Sequence, residues 1–359
     1  MGKRILVSPL NWGLGHATRC LPIIRSLVNQ GNKVIIAADG GALSFLQKAM
    51  PELEFIKLPG FNATYSKRNS QALKIAISTP RALRDFSNEH QQLDTIVKDY
   101  NIEAIISDNR FGCWNKNVKS VFITHQLHIS IPKLWRWTAP IVNSINYSYI
   151  KHYDELWIPD AEGNINLAGA LSHPANLPIK TSYIGYLSRF YADSLPNNEK
   201  DIDYLVILSG PEPQRTILEK IIIKQAYTIK EKIVILRAMP DCLNMIKDLP
   251  DNVTTFNHVD DEMFVNLVSS ARNIICRGGY SSLMDLIRLN RSAFLIPTPG
   301  QTEQEYLSQY LFKKGLFGYC RQKDFNFKNV AIPQINLRSI YNDESDNINT
   351  FLERWCKTI

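Results

Sequence analysis

The chain has 359 residues, 45% of them apolar and 21% charged, which is the composition of a globular protein of about two domains. A mean hydropathy of −0.18, with no 18-residue apolar run and no signal-peptide core, excludes a membrane-spanning helix and predicts a cytoplasmic protein. The excess of positive charge lies in the first 190 residues, and a one-sided basic surface favours anionic partners such as nucleic acid or anionic lipid.

The first part of the chain alternates short apolar runs with helical patterns. A strand is predicted at ILVSP, followed by the glycine-rich turn NWGLGH, a helix over ATRCLPIIRSLVNQ that ends before Gly31, and a second strand at KVIIAAD. Further strands are predicted at 104–108, 120–125, 155–160 and 182–187. Apolar strands separated by helices are typical of a parallel sheet covered on both faces.

The pattern stops at a polar, turn-rich stretch and then starts again. Strands are predicted at 204–210, 232–238, 252–256, 273–279 and 292–300, and helices near 213–230 and 281–289. This second series again alternates strands with helices, so it predicts a second doubly wound unit.

We therefore predict an α/β fold of two tandem Rossmann-like domains. The first spans 1–187 and the second 204–340, joined by a linker at 188–203. The last residues, 341–359, predict an amphipathic helix that packs back on the body. Ligands of doubly wound sheets bind at the carboxyl ends of the strands, so we expect the ligand in the cleft between the two domains.

A histidine follows the glycine-rich turn at the entrance of the first helix. Gly13 and Gly15 allow a ligand to approach the backbone, and the helix start offers amides to an anion. The turn lacks the third glycine of a dinucleotide fingerprint and the Gly-Lys-Ser/Thr of a P-loop. His16 is either a capping residue or a general base. Asp108, at the end of its strand, either orients that imidazole or caps the next segment.

Two more ionisable residues follow strands of the first domain. His125 ends the run SVFITH, and Glu162 comes just after ELWIPD. Both are expected at the carboxyl edge of the first sheet, where they are candidates for the acceptor side of a site. For Glu162 the alternative is a solvated loop carboxylate.

Two strand-to-helix turns of the second domain carry residues suited to a nucleotide. In LSGPEPQR, the amides of Ser209 and Gly210 offer a phosphate site, and Arg215 supplies a neutralising charge. In CRGGYSSLMDL, glycines and serines at a helix N-terminus form a nest of N–H groups and hydroxyls. Asp285, one helical turn later, is within reach of a ribose diol.

A third turn, PTPGQTEQEY, follows the next strand. Glu303 and Gln304 offer acceptors and donors to sugar hydroxyls, or they cap the helix. Together the three turns predict a site for a diphosphate, a ribose and a second polyol.

The second domain resembles that of glycosyltransferases with the GT-B fold and a family 28-like C-terminal domain. These include the MurG-type peptidoglycan N-acetylglucosaminyltransferases, the plant diacylglycerol galactosyltransferases and the UDP-glycosyltransferase family that contains the glucuronosyltransferase-like enzymes. The last group has His-Cys-Gly-Trp-Asn-Ser-x-x-Glu followed by Asp-Gln, and RGGYSSLMD and Glu303-Gln304 have the same order and spacing here. GLGHATR is similar to the family's N-terminal glycine loop, so the resemblance covers both domains.

The resemblance implies an inverting transfer of a hexose or N-acetylhexosamine from a UDP-sugar, with His16 as base, Asp108 as its partner and no metal cofactor. Ser281 and Ser282 would meet the diphosphate and Asp285 the ribose. The donor-binding residues that it implies are Gly15, Arg189, Ser209, Gly210, Arg215, His258, Val259, Arg277, Gly278, Gly279, Ser281, Ser282, Asp285, Glu303 and Gln304.

The nucleobase contacts implied by the resemblance come from outside the three turns. His258 would cap the base, the Val259 backbone would read the edge of uracil, and Arg189 would lie against the ring. Two departures from the family pattern concern the donor. An Asp replaces the usual ribose Glu at 285, and Arg277 replaces a histidine of the diphosphate loop.

Four alternatives compete with the transferase. A UDP-sugar 2-epimerase shares the architecture, but those enzymes resemble one another in an Asp-Ser-Gly-Gly-x-x-Glu-Glu segment that this chain lacks. A nucleic-acid-binding protein fits the basic charge but lacks a recognisable motif, and a non-catalytic nucleotide-sugar-binding protein shares every donor residue. A metal-dependent transferase would use Asp-x-Asp after a strand, whereas Asp201-Ile202-Asp203 precedes one. The dispersed cysteines predict reduced thiols and no zinc site.

The clue to the acceptor comes from two stretches of the first domain that contain no acidic residue, 55–84 and 109–153. Tyr65 lies near Lys67 and Arg68, and Trp135 and Trp137 flank Arg136. Tryptophan beside arginine is typical of a surface at lipid headgroup depth, and the alternative is a core helix with snorkelling cations. We expect a lipid-linked or glycan acceptor and peripheral contact with the inner face of an anionic membrane.

Overall fold

The structure is a computed structural model. It describes residues 2–61, 71–131, 133–163, 165–190, 195–196, 198–239, 242, 244, 246, 248–340 and 348–359, without the side chains of 71–79, 133, 339 and 340. Tyr65, Lys67 and Arg68 lie outside the described residues. The chain divides into two compact units, the first up to Arg189 and from Ile340 onward, the second from Phe190 to Ser339. The boundary after Arg189 falls in the stretch predicted as a linker.

The described part of the first unit is a parallel sheet of seven strands in the order β3-β2-β1-β4-β5-β6-β7. Its strands are β1 (Arg4–Pro9), β2 (Lys33–Ala38), β3 (Glu54–Lys57), β4 (Ala104–Asp108), β5 (Lys119–Ile123), β6 (Glu155–Ile158) and β7 (Thr181–Tyr183). Its helices are α1 (Gly15–Asn29), α2 (Gly40–Ala49), α3 (Gln71–Asp99), α4 (Ala139–Ile150) and α9 (Ile348–Cys356). The central strands β1 and β4 are buried at every residue except Arg4, as expected of a sheet covered on both faces.

The described part of the second unit is a parallel sheet of six strands in the order β10-β9-β8-β11-β12-β13. Its strands are β8 (Ile202–Ile207), β9 (Ile233–Leu236), β10 (Val253–Phe256), β11 (Ala271–Cys276), β12 (Phe294–Leu295) and β13 (Gly318–Tyr319). Its helices are α5 (Gln214–Ala226), α6 (Asp261–Ser270), α7 (Tyr280–Arg288) and α8 (Thr302–Lys313). The predicted α/β class with two Rossmann-like sheets is confirmed.

The C-terminal helix α9 belongs to the first unit. Trp157 of β6 packs edge-on against Phe351 and Trp355, with ring centroids 4.9 and 5.0 Å away. The packing of these three aromatic rings anchors the helix to the sheet of the first unit.

Register determines which side chains reach the carboxyl edge of the first sheet. Pro9 of β1 pairs with Asp108 of β4, and Asp108 pairs with Ile123 of β5. The turn after β1, the carboxylate that ends β4 and the residues that follow β5 therefore lie side by side.

Candidate active site

A cluster of polar side chains is buried at this edge of the first sheet. Nδ1 of His16 lies 3.1 Å from Oδ1 of Asp108, which is fully buried. Arg19 donates from Nε to Oδ2 of Asp108 at 2.6 Å and from Nη2 to Oδ1 of the same carboxylate. Nη1 of Arg19 donates to Nδ1 of His125 at 3.2 Å. The structure thus places three sequence-predicted residues of the first domain, His16, Asp108 and His125, in one group.

Arg19, the residue that joins the group, was not among the predicted site residues. It follows His16 by three positions in α1, and residues at this spacing share a face of a helix. Its side chain is almost completely buried. The sequence did contain a signal: Arg19 is a charged residue among the apolar residues on the buried face of α1.

Charge and burial shift the ionisation of both partners. Burial alone would raise the pKa of Asp108, but the Arg19 guanidinium and then His16 outweigh it and hold that pKa well below its usual range. Burial and then the Arg19 charge lower the pKa of His16, against the opposing effect of Asp108. Asp108 is therefore an anion and His16 is uncharged at neutral pH, which leaves the imidazole able to accept a proton.

Two further residues predicted near this edge, Gly15 and Glu162, do not belong to the buried cluster. Gly15 is the first residue of α1, one residue before His16. Glu162 is exposed in the loop after β6. The carboxylate that this loop buries is Asp160, which accepts hydrogen bonds from the Leu167 and Ala168 amides and from the Ser172 hydroxyl. Asp160 therefore fixes the shape of the loop.

The second unit brings together the three turns predicted to bind the donor. They follow β8, β11 and β12, which are neighbours in the sheet, and we call them the donor turns (209–213, 277–279 and 296–301). Gly210 has a φ of +92°, a backbone conformation that glycine adopts without strain. A Cβ atom on Gly210 would stand 3.2 Å from Oγ1 of Thr298, so the first and third donor turns touch.

Arg277 ties the donor turns together. Its Nη1 donates to the carbonyl oxygens of Ile296 at 3.0 Å and Pro297 at 3.3 Å, and its Nη2 donates to that of Gln214 at 2.7 Å. Arg277 is fully buried, and its Nε has no hydrogen-bond partner. Desolvation lowers its pKa to about 10, so the guanidinium keeps its charge at neutral pH. The donor turns therefore enclose a cation whose described partners are all neutral carbonyls.

Gln304 joins α8 to the third donor turn. Its Oε1 accepts a hydrogen bond from the Thr298 amide at 2.9 Å, and its side chain is buried. The hydroxyls of Thr298 and Ser308 are also buried and have no partner. Unpaired buried hydroxyls are rare in native proteins, and a bound polar ligand is one way in which they become satisfied.

Arg215, predicted to neutralise a phosphate, is engaged by carboxylates. Its Nε donates to Glu212 at 2.6 Å and its Nη1 donates to Glu219 at 3.1 Å. Glu219 also accepts from Arg237 at 2.7 Å. This arrangement favours a role in anchoring the start of α5 over direct contact with a phosphate.

The other predicted donor residues lie in the second unit or at its border. Gly279 precedes α7, Ser281 and Ser282 lie in its first turn, and Asp285 follows one turn later. These three side chains and that of Glu303 are partly exposed. A helix start presents its first amides to an anion, so α7 adds a positive end to the second donor turn. The phosphate candidate Ser209 and the nucleobase candidates Arg189, His258 and Val259 are all partly or fully exposed in loops.

No group of three or more His, Cys, Asp or Glu side chains with the arrangement of a metal site occurs among the described residues. Independence from metal stays a prediction. Asp201 and Asp203 lie at the start of β8, at the opposite end from the donor turns, and Asp201 pairs with Lys232 at 2.8 Å.

An exposed apolar stripe runs from the 3₁₀ helix Lys133–Thr138 along α4. Leu134 is 81% exposed, Trp137 69%, Ile141 59% and Ile145 43%. The spacing places these side chains on one face. Arg136 is exposed and Trp135 is half-buried, so the alternative of a core helix is wrong for this segment. In the described part of the chain, no helix is long and apolar enough to cross a membrane.

The comparisons with known proteins agree with this geometry. Residues 237–338 match the Glycosyltransferase family 28 C-terminal domain. No curated protein sequence matches the chain. The calicheamicin glycosyltransferase CalG4 is similar in structure, with a TM-score of 0.67 and 13% identity over 100% of both chains. Acinetobacter baumannii MurG is similar with a TM-score of 0.61 and 12% identity, also over 100% of both chains.

A third similar structure is the spinosyn rhamnosyltransferase SpnG in complex with thymidine diphosphate. Its TM-score is 0.60 at 13% identity, over 99% of this chain and 96% of that one. These likenesses establish the GT-B fold, and the match to family 28 covers the part of the second unit that carries the second and third donor turns. The chain therefore has the GT-B fold, and its residues 237–338 are similar to the C-terminal domain of glycosyltransferase family 28.

Proposed function

We propose that this enzyme moves a hexose or N-acetylhexosamine from a UDP-sugar to a lipid-linked or glycan acceptor, with inversion at the anomeric carbon. The observation that carries the proposal is the contact of 3.1 Å between Nδ1 of His16 and Oδ1 of Asp108 in a buried cluster. An imidazole that is uncharged and held by a carboxylate is suited to general base catalysis.

In the proposed reaction, Nε2 of His16 takes the proton of an acceptor hydroxyl. The acceptor oxygen forms a bond to the anomeric carbon as the bond from that carbon to the diphosphate oxygen breaks. Asp108 holds the imidazole with Nδ1 toward the carboxylate and stabilises the imidazolium that forms. The diphosphate leaves with both electrons of the broken bond.

The donor turns supply the electrostatic part of this mechanism. The leaving diphosphate gains negative charge as the bond breaks, so groups arranged in advance to receive that charge lower the barrier. The Arg277 guanidinium and the start of α7 place positive charge at these turns. Ser281 and Ser282 offer hydroxyls to the same diphosphate. This arrangement is a substitute for the cation that metal-dependent transferases use.

Release of UDP from a panel of UDP-sugars and acceptors tests the proposal. His16→Gln is expected to lower kcat by about 10²- to 10⁴-fold, which is the usual contribution of a general base. His152→Gln, at an exposed histidine of the same unit, is the matched control. Near-normal turnover by folded His16→Gln protein would remove His16 from the mechanism. Conversion of the sugar without release of UDP would instead identify an epimerase.

Calorimetry with UDP, GDP and dTDP tests the nucleotide. The Val259 backbone and His258 are proposed to recognise uracil, whereas SpnG was solved with thymidine diphosphate. Uracil and thymine differ by one methyl group, so UDP and dTDP could bind with similar affinity. The comparison of UDP with GDP therefore decides whether the loop recognises the base. Equal affinities for all three nucleotides would reject recognition of the base by this loop.

We propose that the exposed apolar stripe of 134, 137, 141 and 145 contacts an anionic membrane, which would bring a lipid-linked acceptor to the enzyme. Four exposed apolar side chains on one face form a patch of the kind that often marks a protein or membrane contact. The stretch 109–153 around the stripe contains no acid, and Arg136 and Lys151 are exposed beside it. Each such cation near an anionic surface contributes on the order of 1 kcal/mol to binding.

Flotation with anionic and neutral liposomes, at low and high salt, tests the membrane contact. We expect binding to anionic vesicles at low salt and its loss in Trp137→Ser. Tyr227→Ser is the control, since Tyr227 is an exposed aromatic residue of the second unit. Absence of binding in every condition would leave a soluble glycan as the acceptor. Salt-dependent retention of RNA or DNA on a filter would instead support the nucleic-acid alternative.

A further inference from the structure

Arg19 contacts every other polar member of the buried cluster. Its guanidinium reaches both oxygens of Asp108, Nδ1 of His125 at 3.2 Å and Nδ1 of His16 at 2.9 Å. A guanidinium has hydrogen-bond donors only, so Nδ1 of His125 is an acceptor and the proton of that neutral ring is on Nε2. One side chain thus determines the tautomer of His125.

His16 is placed between an acceptor and a donor. Its Nδ1 lies 3.1 Å from the Asp108 carboxylate and 2.9 Å from Nη2 of Arg19. The contact with Asp108 requires a proton on Nδ1 and leaves Nε2 free to accept another. The contact with Arg19 requires a lone pair on Nδ1, so the two contacts belong to different tautomers of the neutral ring, and the proposed reaction uses the one that donates to Asp108. Because Arg19 already occupies both oxygens of Asp108, it weakens the attraction of this carboxylate for a charged imidazole.

The groups that face His16 come from three elements. Helix α1 supplies Arg19 and Cys20, the end of β4 supplies Asp108, and the residues after β5 supply His125. Cys20 donates to Oδ2 of Asp108 at 3.4 Å, and burial raises its pKa well above the ordinary value, so it stays a neutral thiol. With neutral imidazoles the cluster therefore contains one cation and one anion, both fully enclosed.

We propose that Arg19 is a positioning residue that holds Asp108, His16 and His125 as one buried unit and keeps His16 uncharged until it takes a proton from the acceptor. The proposal rests on the proposed function for the acceptor proton. Without Arg19, the buried Asp108 would lie unpaired against His16. A buried carboxylate beside an imidazole favours the imidazolium, which has no lone pair for catalysis.

The decisive measurement is the titration of His16, followed by NMR of the histidine Cε1–H signals and assigned with His16→Gln. In the wild-type protein the midpoint is expected below that of an ordinary histidine. In Arg19→Met, which keeps the length of the side chain and removes its charge, the midpoint is expected to rise. Arg19→Lys keeps a cation and is expected to stay close to wild type. Arg25→Met, on the same helix but outside the cluster, is the matched control.

The pH dependence of activity supplies a second measurement, which would not change if the role of Arg19 were purely structural. The acid limb of kcat/KM is expected to rise in pH with the NMR midpoint in Arg19→Met. Each unit of that rise lowers the rate at acidic pH about tenfold, because the fraction of neutral base falls by that factor. At pH 8, where His16 is neutral in both proteins, the loss is expected to be smaller.

An unchanged His16 midpoint in folded Arg19→Met would overturn the proposal. Should that variant fail to fold, Arg19→Gln, which also removes the charge but keeps an amide donor, provides the same comparison. A raised midpoint in a protein that transfers no sugar would refute the proposed function and leave the electrostatic role of Arg19 in place. Normal sugar transfer with an unchanged midpoint would support the proposed function and refute the electrostatic role of Arg19.

Discussion

Gly278 lies so close to Ser308 that a Cβ atom at position 278 would stand 2.2 Å from the Ser308 Oγ. The same atom would stand 3.2 Å from the carbonyl oxygen of Gln304. Both neighbours belong to α8, which carries Glu303 and Gln304 at its start. The glycine therefore sets how closely α8 packs on the second donor turn.

Gly278→Ala is expected to destabilise the protein by about 1–3 kcal/mol, the usual effect of inserting a methyl group into a packed interior. Donor affinity should fall as well, because α8 must move. Gly279→Ala is the control for stability, since its φ is −75° and the nearest atom to the added methyl group is Ser282 Oγ at 3.9 Å. Urea unfolding and calorimetry with UDP measure the two effects. Equal stability of the two alanine variants would contradict the packing argument.

Gln304 is expected to affect both stability and donor binding. Gln304→Ala leaves the buried Thr298 amide without its acceptor, which costs about 1–3 kcal/mol. Gln304→Glu keeps an acceptor oxygen at that place, so it should retain the melting temperature while it weakens UDP-sugar binding through its negative charge. A loss of affinity in Gln304→Ala without any loss of stability would show that the hydrogen bond to Thr298 contributes little.

All the described strands except the edge strands β3 and β13, and the meeting of His16 with Asp108, were predictable because they follow from local pattern and from the geometry of a parallel sheet. Residues that follow neighbouring parallel strands meet at one edge of the sheet, because the backbone alone places them there.

The hydrogen-bond partners of the arginines were not predictable in this way. Arg215 was expected to face a phosphate and instead pairs with Glu212 and Glu219. A long side chain reaches several neighbours, and sequence spacing does not say which of them it contacts.

Burial of single residues was the second limit. Trp137 was expected either in a core or at an interface, and the structure leaves it largely exposed. Arg19 sits in an apolar helix pattern, where a charged residue would normally mark the solvent face, yet it is buried with Asp108. The partner that compensates this buried charge is 89 positions away in the chain, so the pair is visible only in three dimensions.

Breaking the buried pair of Glu89 and Arg110 is expected to cost far more stability than breaking an exposed ion pair. Arg110 donates from Nε to Glu89 at 2.6 Å, and both side chains are almost completely buried. Glu89→Gln leaves an uncompensated buried cation and should lower the free energy of unfolding by about 3–5 kcal/mol. Glu54→Gln breaks the half-exposed pair with Lys33 and should cost less than about 1 kcal/mol. Similar losses in urea unfolding would refute the distinction.

The shifted pKa of His16 predicts how stability depends on pH. Burial and the Arg19 charge lower that pKa in the folded protein, whereas an unfolded chain has the ordinary imidazole value of about 6.5. As pH falls below that value, the unfolded state binds a proton that the folded state does not bind. Stability from this group is therefore complete above pH of about 6.5 and is lost as pH falls toward the folded pKa, with a slope of at most about 1.4 kcal/mol per pH unit.

Urea unfolding between pH 7.5 and 5.5 measures this slope. His16→Gln removes the titrating group, so its free energy of unfolding should decline less steeply with acid than that of the wild type. His258→Gln, at an exposed loop position of the other unit, should keep the wild-type slope. If His16→Gln and the wild type lose stability in parallel, then the imidazole takes up its proton equally in both states. In that case the cluster around Arg19 does not hold His16 uncharged.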